Sequence, residues 1–238
     1  MENLKMVVFD MAGTTVKDEN EVENCFVEAA ETTGINYSVE EIVSMMGWSK
    51  RLVFETLWRK NLPDVSESTI QQKTDKSYMK FKQVLENHYL TKPVVPTEGT
   101  LEVFQECREK NIKIVLTTGF YRKVTDIILQ RLNWDKGLDE NYKGSANALI
   151  DLSLSSDQVS KGRPAPDMIL KAMEIFNIEN PKQVIIIGDT PSDLQSGRNA
   201  NCGLVLGVTN GSHTKEQLKV FDNDGLLTNI SELIKYLN

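Results

Sequence analysis

Asp10 closes a short apolar run, Met6-Val7-Val8-Phe9, and opens the string Asp10-Met11-Ala12-Gly13-Thr14-Thr15. A carboxylate at the C-terminal tip of a buried strand, followed by a glycine turn and two hydroxyls, can present a nucleophile to a ligand. Three later segments carry complementary groups: Thr117-Thr118-Gly119, the loop Ser160-Lys161-Gly162-Arg163-Pro164-Ala165-Pro166, and Gly188-Asp189-Thr190-Pro191-Ser192-Asp193. Taken singly, each reads as a turn with helix-capping acids or as an exposed basic loop. Their order and spacing give them joint meaning. A carboxylate cannot approach an anionic phosphoryl group unless its charge is masked. Mg²⁺ held by Asp10 and Asp189 would mask it, because that ion prefers carboxylate and water oxygens. Asp193, four residues on, could ligate through water or orient the other ligands. Arg163 or Lys161, with Thr117 or Thr118, would hold the phosphoryl oxygens and favour the transition state. A small anionic organophosphorus compound is the expected ligand.

These groups need a scaffold that brings them to one rim. Continuous aliphatic runs at Ile112–Thr117, Val184–Gly188 and Gly203–Val208 alternate with helical patterns over 98–110, 121–132, 166–177 and 192–200. A further short strand is expected near 148–152. Aliphatic strands separated by amphipathic helices predict an α/β fold with a parallel sheet covered on both faces. Ligands bind such sheets beyond the carboxyl ends of the strands, where Asp10, Thr117 and Asp189 would stand. Between Thr15 and the breaker Thr91-Lys92-Pro93-Val94-Val95-Pro96 the pattern is helical only, over 21–33, 39–46, 49–60 and 66–88. In the third of these, Leu52, Val53, Leu57 and Trp58 read as the apolar side. The chain therefore reads as a core domain, 1–16 and 91–238, interrupted by a helical domain at 17–90.

Composition narrows the class. The 238 residues are 40% hydrophobic and 26% charged, as in an ordinary globular protein. A net charge of −7 with scattered Lys and Arg argues against a nucleic-acid partner, which needs a concentrated basic face. Cys25, Cys107 and Cys202 are far apart and lack metal-ligand spacing, which fits buried thiols in a reducing cytoplasm. The first strand begins too early for a signal peptide, and no apolar run of the ~18 residues that a membrane span needs occurs, so a cytoplasmic protein without membrane contact is expected. His88 and His213 are isolated, which suggests surface or loop roles.

The four loops resemble the motifs of the haloacid dehalogenase superfamily of hydrolases, and within it the phosphonatase branch. The resemblance implies a Rossmann-like core, an inserted helical cap, Mg²⁺ dependence and an aspartyl-phosphate intermediate. It implies that Asp10 is the nucleophile and a metal ligand, Asp189 and the Ala12 carbonyl are further ligands, and Arg163 is the phosphate-binding cation. It also implies substrate contacts from Gly47 and Gly119, and a homodimer contact through the cap. Trp48 and Trp58 could serve that contact, although packing within the cap explains them equally well.

Ala12 and Lys50 sharpen the resemblance. Phosphatases of the superfamily are similar to one another in carrying an Asp two residues after the nucleophile, as a general acid and base. Phosphonatases carry Ala there, as this chain does. Their leaving group is carbon, and a cap lysine condenses with the aldehyde so that the iminium accepts the electrons of the C–P bond. The segment Met45-Met46-Gly47-Trp48-Ser49-Lys50 resembles their Met-Gly-x-x-Lys, which makes Lys50 the candidate Schiff-base lysine. Such an amine must lose its proton more readily than usual, through desolvation and a nearby Arg51. The chain departs from the branch at Val53 (His there), Phe120 (Tyr), Met11 (Trp) and near Asn20 (Cys). Phosphonoacetaldehyde, giving acetaldehyde and phosphate, is the first expected substrate, with a related phosphonate as a near alternative. A phosphomonoesterase acting on phosphoglycolate or a sugar phosphate is the rival reading. A phosphate-binding module without turnover is the second.

Overall fold

The computed structural model describes residues 3–45 and 48–237. Gly47, expected among the substrate contacts, and Met46 lie outside the described residues. Strand β1 (Met6–Asp10) is buried along its whole length, with Val7 and Phe9 on one face and Met6 and Val8 on the other. Strands β2 (Lys113–Thr118), β3 (Leu152–Ser155), β4 (Val184–Gly188), β5 (Leu204–Val208) and β6 (Gly225–Leu227) join it in one sheet, ordered β3-β2-β1-β4-β5-β6. Every pairing is parallel. Two-faced burial explains why these strands read as unbroken aliphatic runs rather than alternating ones.

Helices α5 (Thr100–Glu109) and α6 (Arg122–Leu132) supply Phe104, Cys107, Ile128 and Leu129 to the core on the Val7 and Phe9 face. Helices α7 (Asp167–Ile175) and α8 (Pro191–Asn199) supply Met168, Ala172 and Leu194 to the core on the other face. All three cysteines are buried and free. The expected α/β parallel sheet is therefore present. Strand β3 lies a few residues later than 148–152, because its register is set by pairing with β2 from Val115 onward. Strand β6 and the short helix α9 (Lys215–Leu218) were not legible, since three and four residues carry no periodicity.

Four helices fill the chain between β1 and α5: α1 (Glu21–Thr33), α2 (Val39–Ser44), α3 (Lys50–Asn61) and α4 (Glu67–Thr91). Their core is a triangle of Phe26, Phe54 and Phe81, with ring centroids 4.4, 5.0 and 5.7 Å apart. Trp58 is also taken up inside, its Nε1 donating to Ser77 Oγ at 2.9 Å. Helix α4 meets α6, where Tyr121 Oη donates to Glu86 Oε1 at 2.8 Å and Arg131 Nη1 donates to the Leu90 carbonyl at 3.0 Å. Among the described residues, no helix is long and apolar enough to cross a membrane.

One register detail matters for chemistry. The buried positions of α3 are Lys50, Val53, Phe54, Leu57 and Trp58, the i, i+3, i+4, i+7, i+8 stripe of an amphipathic helix. Lys50 therefore occupies the first position of an apolar stripe. Leu52, expected on that side, is exposed instead.

Candidate active site

The parallel register places Asp10 beside Thr117, and Phe9 beside Ile187, so that β2, β1 and β4 end together. After Asp10 the chain turns sharply. The Val16 amide donates to the Met11 carbonyl at 2.8 Å, and the Gly13 amide to the Val16 carbonyl at 2.8 Å. The Ala12 carbonyl stands outside both bonds. Gly13 has φ of 87°, and a Cβ there would collide with the Asp189 carboxylate, so glycine is required for both reasons.

The acids meet at this rim. One carboxylate oxygen from each of Asp10, Asp189 and Asp193 lies within 4.8 Å of the others, and all three residues are buried. Thr14 Oγ1 donates to Asp189 Oδ1 at 3.1 Å, while the Ser212 amide and hydroxyl donate to its Oδ2 at 2.7 and 2.6 Å. Asp193 closes a capping box at the start of α8, accepting from the Thr190 amide at 3.1 Å and hydroxyl at 2.5 Å. Its other oxygen pairs with Arg163. The capping role and the site role of Asp193 are thus compatible, one on each oxygen.

Arg163 is the buried cation between the acids. Its Nη1 lies 2.6 Å from Asp10 Oδ1, and its Nη2 donates to Thr117 Oγ1 at 3.1 Å. Thr117 is thereby engaged with Arg163, whereas Thr118 lines the cavity together with Gly119. Lys161 is placed elsewhere. Its side chain is exposed, Asp167 Oδ2 accepting from its amide at 3.0 Å, while Arg163 in the same loop enters the rim.

Burial pushes the Asp10 carboxyl up to about 8, against the pull of Arg163 and with the push of Asp193 and Asp189. Burial also raises Asp193, again opposed by Arg163. Three buried carboxyls thus share one guanidinium and gather hard oxygen donors at one point. That donor set suits a divalent cation such as Mg²⁺, which prefers carboxylate oxygens.

Across the cavity stands Lys50, 4% exposed. Its Nζ is 5.4 Å from the Phe26 ring centroid and 5.6 Å from that of Phe120. Burial brings its pKa down to about 8; Asp10 opposes this and Arg163 assists it. Arg51, expected to assist, faces away and pairs with Asp75 and Glu55. The cavity between Lys50 and Asp10 is about 20 Å³ and is lined also by Ala12, Asp18, Val22, Thr190 and Ser212.

Asp18, Ser212 and Thr190 were not singled out from the sequence. Ser212 follows Gly211 in the loop after β5, so a glycine and hydroxyl beyond a strand tip were an available signal. Asp18 carried none beyond its acidity. Ser212 Oγ also pairs with Nδ1 of His213, 3.1 Å away, a residue that is buried rather than on the surface.

The chain is similar to known proteins over most of its length. A profile of haloacid dehalogenase-like hydrolases matches residues 4–201. A phosphonoacetaldehyde hydrolase from Bacillus cereus is 30% identical over 243 residues, covering 92% of this chain and 83% of its own. Among solved structures, a phosphonoacetaldehyde hydrolase-like protein from Oleispira antarctica superposes with a TM-score of 0.77 at 17% identity, covering 99% of this chain and 91% of that one. A hydrolase from Pseudomonas syringae gives 0.76 at 19% identity, covering 98% and 97%. At such identities the superpositions speak for the fold alone.

Proposed function

Because the chain belongs to the haloacid dehalogenase-like hydrolases, we propose that it is a Mg²⁺-dependent phosphonatase-like hydrolase acting on phosphonoacetaldehyde or a closely related carbonyl-bearing phosphonate. The observation that carries this reading is the pairing of Ala12 and Lys50 across one cavity, with the amine buried and its pKa brought down to about 8. An ester hydrolase gains nothing from a lysine that gives up its proton so readily, and with Ala12 it would lack its acid. A phosphonatase needs the first and not the second.

In this reading the four helices between β1 and α5 act as a cap. A cavity of about 20 Å³ holds about one water, so the helices must part from the sheet edge before substrate enters. Neutral Lys50 adds to the substrate carbonyl, and loss of water leaves a protonated imine. Asp10 then attacks phosphorus. The C–P bonding pair moves toward the imine nitrogen, giving an enamine and an aspartyl phosphate. Protonation of the enamine carbon and hydrolysis of the imine release the aldehyde, and water cleaves the acyl phosphate. A divalent ion held by Asp10, Asp189 and the Ala12 carbonyl, with Asp193 behind them, would mask the charge between nucleophile and phosphonate. Arg163 and the Thr118 hydroxyl hold the phosphoryl oxygens. Arg163 already touches Asp10, so it aligns the nucleophile as well as the substrate.

The test is phosphate release from phosphonoacetaldehyde beside a panel of phosphate esters, with Mg²⁺ and with chelator. Metal-dependent release confined to the phosphonate supports the reading. Efficient turnover of an ester overturns it, and an Ala12→Asp variant that gains esterase activity would mark the same failure.

A further inference from the structure

Asp18 sits where the mechanism lacks a proton donor. It lines the cavity together with Lys50 and Ala12, yet belongs to none of the motifs that fix the acids at the strand ends. Its position is set by helix α1. The residue preceding that helix, Asn20, makes no side-chain cap. Asp18 reaches past it, Oδ1 accepting from the amides of Glu21 at 2.7 Å and Val22 at 3.3 Å. The carboxyl is therefore held at the cavity wall by its own helix. Glu21 hydrogen-bonds to it as well and is itself half-buried, which gives the pair an outlet toward solvent.

On the phosphonatase reading above, we propose that Asp18 is the general acid and base for the imine chemistry of Lys50. When the amine adds to the carbonyl, nitrogen loses a proton and the carbonyl oxygen gains one. The resulting carbinolamine must expel its hydroxyl. Asp18 donates its proton to that hydroxyl, water leaves, and the nitrogen lone pair closes the C=N⁺ bond. Asp18 is left as a carboxylate. In the hydrolytic half the carboxylate takes a proton from the attacking water, so the residue returns to its starting state. Glu21 exchanges that proton with solvent.

Burial, with the hydrogen bond and charge of Glu21, pushes the Asp18 carboxyl up to about 8, so it carries a proton at neutral pH. Charges and titratable groups reach it from each packed element: Glu21 and Cys25 on α1, Lys50 on α3, Tyr89 on α4 and Asp189 beyond β4. Tyr89 is buried 5.9 Å ring to ring from Phe120, and among the described residues its hydroxyl has no hydrogen-bond partner.

Asp18→Asn separates the chemical role from the structural one. Asn keeps an acceptor oxygen at the same reach for the amides of Glu21 and Val22 but carries no transferable proton; Asp18→Ser, which also lacks the acid and has a shorter acceptor, is a second variant. The measurement is the rate of the cyanoborohydride-trapped Lys50 adduct with phosphonoacetaldehyde, read by mass and followed across pH, alongside thermal unfolding. The expected result is trapping about 10²-fold slower in both variants, with the unfolding of Asp18→Asn unchanged and part of the rate restored by added acetate or imidazole. Trapping at the wild-type rate and pH profile in the variants overturns the assignment of Asp18 while leaving Lys50 in place. No adduct in the wild-type protein overturns the imine reading itself.

Discussion

The two walls of the cavity are built by opposite means. The sheet edge is held by charge and hydrogen bonds: Asp189 takes bonds from Thr14 and Ser212, Asp193 from Thr190, and Arg163 ties Asp10 to Asp193. The facing wall is held by packing. Lys50 lies among Phe26, Phe120 and Val22, and among the described residues its amine has no hydrogen-bond partner. Strand ends fix acids in a ligand-ready arrangement, which phosphoryl transfer requires. An amphipathic helix that buries an amine in its apolar stripe lowers that amine's pKa without any specific partner. The two halves of the proposed chemistry thus draw on different physics.

Four experiments press on that contrast. The largest effect is expected from Asp10→Asn, which removes the proposed nucleophile from the hydrogen-bonded wall. Phosphate release should fall about 10⁴-fold or more, with the far-ultraviolet spectrum unchanged. Lys50→Arg comes next. It keeps the positive charge but cannot form an imine, so phosphonate turnover should drop ~10²–10⁴-fold while divalent-ion binding at the sheet edge persists. If ion binding fails too, the walls are not separable.

Stability should move in opposite directions on the two sides. Arg163→Met leaves Asp10 and Asp193 buried without their cation, and chemical denaturation should show a loss of about 3–5 kcal/mol. Lys50→Met replaces a desolvated amine by an apolar side chain of similar length, so the variant should be more stable at neutral pH. The amine falls from 10.5 to about 8 in the folded chain, which sets an upper scale of about 3 kcal/mol. The sign with pH follows. Between about 8 and 10.5 the unfolded chain binds more protons than the folded one, so wild-type stability rises with pH through that window. The advantage of Lys50→Met should be complete below pH 8 and vanish by about 10.5. An advantage that is constant across that range would mean that Lys50 is not buried as a titrating amine.

The aliphatic runs at β1, β2, β4 and β5 determined the parallel sheet, because strands buried on both faces must be apolar throughout. The order of Asp10, Thr117-Thr118, Arg163 and Asp189 determined which residues end at the same rim, since strand tips are the one place where such groups can meet. Lys50 was legible only through the resemblance: the sequence put Leu52 on the apolar side of α3, whereas the buried stripe runs Lys50, Val53, Phe54, Leu57 and Trp58. Only the tertiary structure decided the rest. Lys161 was as plausible as Arg163 on charge alone, and Arg51 was expected to assist Lys50, yet a loop bond holds the first outside and salt bridges turn the second away. Asp18 entered the cavity through the bond that caps α1, and Ser212 through its grip on Asp189. A local pattern records which face of an element is buried. It does not record which distant element lies opposite, and the environment of each charged group depends on that.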